Sequence, residues 1–296
     1  MTRLLQVCCA LGLLAVPAAA AETAYSVKSD GDDALYTIDL YSGRTRRIGA
    51  TGFGDVESLA FSPGCATLYG VDDVKDVLVR CALATGACTQ IGPLRVDVTD
   101  TGLAFAADGK LYMSTDAPKP PRLYQIDVPS GRADLLGEQK TEITGLTGGP
   151  PTKTCRSGLY GLGGDSDPAK NKLSQLYCLD PDSGAATALG KLQTVNPVDG
   201  GIEFGASGVL WGLDDEGTIF WLNTLSGRAA VVVRADPARR GFEGLAIDGG
   251  VCAGPQAQSP LEIPAAGPAA FAALAAALGG LGARLLRRRA SSEPGR

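Results

Sequence analysis

"LYQIDVPSGRADLLG", residues Leu123 to Gly137, is the stretch whose reading decides the fold. Large apolar residues alternate with others along Leu123 to Val128, which is the period of a half-buried strand. Ser130-Gly131 then supplies the positive-φ position of a short hairpin loop, and a second strand runs out to Gly137. Near-copies stand at LYTIDLYSGRTRRIG from Leu35, LVRCALATGACTQIG from Leu78, LYCLDPDSGAATALG from Leu176 and IFWLNTLSGRAAVVV from Ile219. Their turn glycines, Gly43, Gly86, Gly131, Gly184 and Gly227, are spaced 43, 45, 53 and 43 residues apart. A period in the forties is the size of a four-stranded propeller blade.

Two further strands flank each hairpin. One is Leu68-Tyr69-Gly70, Leu111-Tyr112-Met113, Leu159-Tyr160-Gly161 or Leu210-Trp211-Gly212; the other is a small-residue strand such as Ser58-Leu59-Ala60-Phe61 or Gly102-Leu103-Ala104-Phe105. Glycine and alanine suit the crowded innermost strand of a ring. The last such strand, Gly244 to Ile247, has no hairpin after it, and the first hairpin has no inner strand before it. The expectation is an all-β, five-bladed β-propeller over residues 22–254 whose last blade is completed by the N-terminal strand at Ala24 to Val27. An open solenoid or a β-sandwich does not explain that split blade. The aromatic residues Tyr69, Tyr112, Tyr160 and Trp211 recur at one repeat position and read as inter-blade packing. The stretch Asp165 to Ser174 accounts for the long spacing as a decorated loop.

The ends read differently. Residues 1–21 carry Arg3, an apolar run from Leu4 and the small stretch Ala18 to Ala21, the pattern of a secretory signal. After a linker at 255–262, residues 263–286 contain 21 positions without a charge, followed by a basic tail at 287–296. That length suffices to cross a bilayer, with Arg287, Arg288 and Arg289 holding the extreme C-terminus in the cytoplasm. Ile263-Pro264 and Gly267-Pro268 ahead of the apolar run and the arginines resemble the C-terminal sorting signals of the IPTL-CTERM and PEP-CTERM type. The resemblance implies recognition by a membrane sortase that removes the tail, although Ala265-Ala266 stand where the IPTL type has Thr-Leu.

Between the ends, 21 basic and 31 acidic residues give a net charge of about −10. Such a surface excludes nucleic acid as a partner and favours cations and solubility. Six cysteines remain outside the signal, and an even number in an exported chain reads as disulfides. Cys81 and Cys88 face each other across the turn at Thr85-Gly86 and are the expected first pair; the partners of Cys65, Cys155, Cys178 and Cys252 stay open, with Cys155 to Cys178 inside one blade and Cys65 to Cys252 as one arrangement.

The chain has no histidine, which removes the usual general base and the Ser-His-Asp arrangement. Catalysis is therefore the less expected function. The register instead places Glu57 and Glu243 at one repeat position, with Thr101 and Thr144 also there and Asp100 and Asp199 one residue earlier. All six fall where loops enter the inner strands, at one mouth of the ring. The adjoining loops add Asp30, Asp32, Asp33, Asp72, Asp73, Asp116, Asp165, Asp167, Asp214 and Asp215. One reading is an oxygen-lined site for a hard cation such as Ca²⁺. The other is Asp turn chemistry on a solvated face, which needs no ligand; the loops lack the regular spacing of a dedicated calcium loop. Convergence of Glu57, Glu243, Asp100 and Asp199 on one point would decide between them.

The repeat L-Y-x-I-D-x-x-S/T-G with a downstream I-G resembles the secreted propeller proteins of the TolB-like and NHL-type groups. The resemblance implies an exported binding or scaffold module, held at the envelope, for an unknown protein or glycan ligand. The alternative is an exported hydrolase or lyase acting on a glycan or lactone at the acidic mouth.

Overall fold

The computed structural model describes residues 23–29, 31–163, 174–197, 199–235, 241–249 and 252. The signal at 1–21, the linker at 255–262, the apolar and basic tail at 263–296 and all of the 165–174 insert but Ser174 lie outside the described residues.

Twenty strands form five antiparallel four-stranded sheets. Blade I holds β4 (Val56–Phe61), β5 (Leu68–Asp72), β6 (Val77–Cys81) and β7 (Cys88–Pro93). Blade II holds β8 (Thr101–Phe105), β9 (Leu111–Thr115), β10 (Arg122–Ile126) and β11 (Ala133–Glu138). Blade III holds β12 (Ile143–Gly148), β13 (Leu159–Gly163), β14 (Gln175–Leu179) and β15 (Ala186–Lys191). Blade IV holds β16 (Gly200–Phe204), β17 (Leu210–Asp214), β18 (Thr218–Leu222) and β19 (Ala229–Arg234). Blade V pairs β20 (Phe242–Ile247) with β1 (Thr23–Lys28), β2 (Ala34–Asp39) and β3 (Thr45–Ala50), in the order β20-β1-β2-β3. The split blade expected from the sequence is therefore formed, and it closes the ring by a strand ladder between the two ends of the domain.

The core confirms closure by its distribution. Buried apolar residues fall into five clusters, and each spans one gap between neighbouring blades. Leu59 and Val79 of blade I meet Val27 and Leu35 of blade V, for example, and Trp211 of blade IV meets Tyr36 and Phe242 of blade V. An open stack of five blades has one gap fewer than its blades; a ring has as many gaps as blades. The repeated aromatic belongs to this packing: Tyr25, Tyr69 and Tyr160 lie against Phe61, Phe105 and Phe204 of the next blade, at 5.6, 5.6 and 5.4 Å between ring centroids.

The I-G and S/T-G of the repeat have one joint explanation. Gly92, at the end of β7, lies flush against the β10–β11 turn, so that a Cβ there would stand 2.0 Å from the Ser130 carbonyl oxygen. Gly49, Gly137 and Gly190 make the same approach to the turns at Thr85, Ser183 and Ser226. The outer strand of each blade thus docks on the hairpin of the next. The fifth copy ends in Val-Val-Val-Arg, and there the contact is reversed in kind, with Gly43 meeting the Arg234 carbonyl. The Asp of the L-Y-x-I-D motif caps these turns: Asp39 accepts from the Tyr41 and Ser42 amides at 3.0 and 2.9 Å, and Asn223 does the same for Leu225 and Ser226.

Three disulfides are present among the described residues. Cys81–Cys88 bridges facing positions of the β6–β7 hairpin, as the register requires, and the remaining pairs are Cys155–Cys178 and Cys65–Cys252. The last joins the β4–β5 loop to the residue that follows β20, across the seam between blades I and V. The chain enters at Thr23 and leaves at Cys252 on the face of the β4–β5 loop, opposite the mouth where β4, β8, β12, β16 and β20 begin.

Candidate functional site

The inner strands crowd the ring axis. Leu59, Leu103, Leu146, Ile202 and Leu245 converge there and leave a void of about 10 Å³, at the lower limit for one water molecule.

At the acidic mouth, strand irregularity aims the side chains. β4 pairs with β5 as Val56 to Asp72 and then Ser58 to Val71, which leaves Glu57 as the extra residue of a β-bulge. Thr144 is the extra residue of the equivalent bulge on β12, and β20 is bulged directly after Glu243. β8 and β16 pair with their neighbours without interruption, and there the acid comes one residue before or at the strand start, from Asp100 and Asp199. The offset between the Glu and Asp positions in the sequence is thus the bulge itself, which turns a side chain out of the sheet. Asp100 reaches this place with φ of 44°, in the left-handed region that Asp tolerates better than most residues.

The result is a cluster on the axis. One carboxylate oxygen each of Glu57, Asp100 and Asp199 lies within 4.8 Å of the others, although the three come from three blades. A second set of that span is made by Asp55, Glu57 and Asp73, so Glu57 belongs to both. Oxygens touching one Ca²⁺ at about 2.3–2.6 Å are separated by no more than roughly twice that distance, so each set has the span of a metal site. Glu243 lies beside Glu57, only 8% exposed; its Oε1 accepts from Ser29 at 3.4 Å while its Oε2 is buried without a partner. Thr144 donates to Asp199, whose Oδ1 also accepts the Gly200 amide at 2.7 Å.

Not every expected residue joins. Thr101 is buried with its hydroxyl 2.8 Å from that of Ser58, below the cluster. Asp72 accepts the Asp55 and Lys75 amides at 3.1 and 2.9 Å, Asp214 accepts from Thr218, and Asp116 holds Lys119 at 2.9 Å. Asp32 accepts from Tyr36 and Arg47. Asp72 and Asp214 thus accept loop amides, Asp32 and Asp116 pair with side chains, and Asp30, Asp165 and Asp167 lie outside the described residues. Asp55 is the residue that sequence reasoning missed. Its signal was the D-x-E spacing to Glu57, which has meaning only once the bulge is known.

Burial, and after it the crowding of like charges, raises every carboxylate of the cluster. Burial, then the neighbouring Glu243 and Asp199 carboxylates, pushes Glu57 up to about 11. Burial and Asp199 push Glu243 up to about 9. Asp199 is raised to about 7 by burial and Asp100, and Asp73 to about 7 by burial and Asp55. Burial also raises Asp100 and Asp55. Without a counter-charge, the protein keeps part of this cluster protonated at neutral pH.

No family model and no curated protein matches the chain by sequence. Solved structures do resemble it. A chain of a nidogen/laminin complex matches with a TM-score of 0.50 at 12% identity, over 76% of this chain and 98% of that one. TolB from Acinetobacter baumannii matches at 0.46 and 14%, over 77% of this chain and 66% of TolB. A candidate gluconolactonase matches at 0.45 and 16%, over 75% of this chain and 80% of that one. The chain spans just under two thirds of the TolB chain, and at such identities the likeness is one of fold, a β-propeller.

Proposed function

We propose that this chain is an exported, envelope-held binding module whose acidic mouth takes a hard divalent cation, Ca²⁺ first among them, and engages a protein or glycan ligand around it. The observation that carries the reading is the convergence of Glu57, Asp100 and Asp199, from three blades, to within 4.8 Å. Oxygen donors from loops suit Ca²⁺, and a cation would offset the burial and the like-charge repulsion that together raise Glu57 and Asp199 above ordinary carboxylates. The reading is consistent with three disulfides, which persist in oxidising compartments. It assigns export to residues 1–21 and envelope retention or sorting to 263–296, and the chain leaves the propeller on the face away from the mouth. The nidogen/laminin match gives a precedent for a propeller in a protein complex.

The test is calorimetric titration of the chelated full-length chain with Ca²⁺, together with its melting temperature. Binding heat and a rise in Tm are expected, both lost in Asp199→Asn; no heat and no shift would refute the cation reading. A second reading has one observation in its favour. Asp73 and Asp199 titrate near 7, the range of a general acid or base, which keeps an exported hydrolase or lyase acting on a glycan or lactone in play.

A further inference from the structure

We propose that the mouth holds two divalent cations bridged by the Glu57 carboxylate, the second seated between Asp55, Glu57 and Asp73. The inference rests on the cation reading above and extends it. Both carboxylate sets have the span of one cation, and Glu57 is the residue they share.

The second seat is built by two loops of blade I that clamp each other. The Asp55 amide donates to Asp72 Oδ2 at 3.1 Å, and the Asp55 carbonyl accepts the Asp73 amide at 3.1 Å. Asp72 Oδ1 in turn accepts the Lys75 amide at 2.9 Å, so the loop bearing Asp73 is closed on itself. With its backbone used in this way, Asp55 still presents a buried side-chain oxygen, Oδ1, that has no partner. Buried acceptors without a donor are rare in folded proteins and call for an occupant.

Glu243 points the same way independently. It comes from blade V, is 8% exposed, and leaves Oε2 unpartnered against a neighbourhood that includes both Asp199 of the axial set and Asp55 of the second. Its other oxygen is held by Ser29, which also bonds Asp55. Glu243 thus adds an unpartnered, buried oxygen beside both carboxylate sets.

Charge makes the same argument. Asp55, Glu57, Asp73, Asp100, Asp199 and Glu243 bring six carboxylates together, and one divalent cation offsets only two of those charges. Nearby lysines are engaged elsewhere: Lys75 lies 4.6 Å over the Phe53 ring, and Lys119 is held by Asp116 and Glu142 at 2.9 and 2.8 Å. Two divalent cations offset four of the six.

The experiment uses Mn²⁺, an oxygen-seeking ion that reports its neighbours by electron paramagnetic resonance. The chelated full-length chain is dialysed against Mn²⁺, the bound metal is counted, and the spectrum is recorded. Two ions per chain with an exchange-coupled spectrum are expected; Asp73→Asn should bind one ion with an uncoupled six-line spectrum. One ion in the unaltered chain, unchanged by Asp73→Asn, overturns the second seat and leaves the axial reading standing. Two ions without coupling overturn the Glu57 bridge. No bound ion overturns both readings. The count and coupling in the unaltered chain decide the question even if the variant does not fold.

Discussion

At the residue scale, the turn glycines of the repeat are visible in the sequence, but the reason for the glycine of the I-G pair is not. Gly92 lies 39 positions before Gly131, yet the two are in contact across a blade boundary. Alanine at Gly92 would force its Cβ to within 2.0 Å of a backbone oxygen, and neither side of that contact can give way without separating two blades. Gly92→Ala should therefore cost about 3 kcal/mol, the upper end for overpacking. Gly109 is the control: its φ of 78° strains an alanine, but nothing lies within 4 Å of the added carbon. Gly109→Ala should cost only about 1 kcal/mol. Chemical denaturation of the two variants checks the difference; equal destabilisation would show that the inter-blade contact contributes nothing.

At the element scale, hairpins were legible because their signals are local: alternation, a turn glycine and a capping Asp or Asn all lie within fifteen residues. The bulges were not legible. Whether Glu57 stands in the ladder or out of it depends on which residue of β5 it faces, and that pairing is not written in the local alternation. Fixing it turned an apparent two-frame scatter of Glu and Asp into one cluster, and brought in Asp55. The disulfides divide along the same line. Cys81–Cys88 closes a loop of separation 7 and could be read from hairpin register, whereas Cys65–Cys252 has a separation of 187 and staples the seam of the ring. In the chain-entropy account of cross-links, the first is worth about 2 kcal/mol and the second about 5 kcal/mol. A Cys65→Ser, Cys252→Ser double variant should therefore unfold at clearly lower denaturant than a Cys81→Ser, Cys88→Ser variant. The reverse order would mean that the bridge adds little to the packing of blade I on blade V.

At the scale of the whole molecule, the cluster makes stability depend on pH and on cations together. Glu57 and Glu243 have folded-state values of about 11 and 9, against an ordinary value of 4.5, so folding favours their protonated form. The stability they contribute is full below the ordinary value and is lost as pH rises toward the folded ones. Asp199 and Asp73, raised to about 7, act in the same direction. Asp32, Asp39 and Asp180 are shifted down and act oppositely, but they are already ionised above pH 5. The chelated protein should therefore melt at a lower temperature at pH 9 than at pH 5. Saturating Ca²⁺ should shrink or invert that slope, because the cation replaces the protons and binds better as they leave. A chelated protein equally stable at both values would show that the carboxylates are not repelling one another.

The sequence by itself determined the number of blades, the split blade that closes the ring, the cross-hairpin disulfide and the face on which the acids gather. Each of these follows from a local period repeated along the chain, and periodicity survives without coordinates. Only the tertiary structure decided which acids meet. Glu57, Asp100 and Asp199 are brought together by ring closure and by a bulge on one strand but not on the other two. Convergence at an axis is a property of all five blades at once, which no single repeat contains.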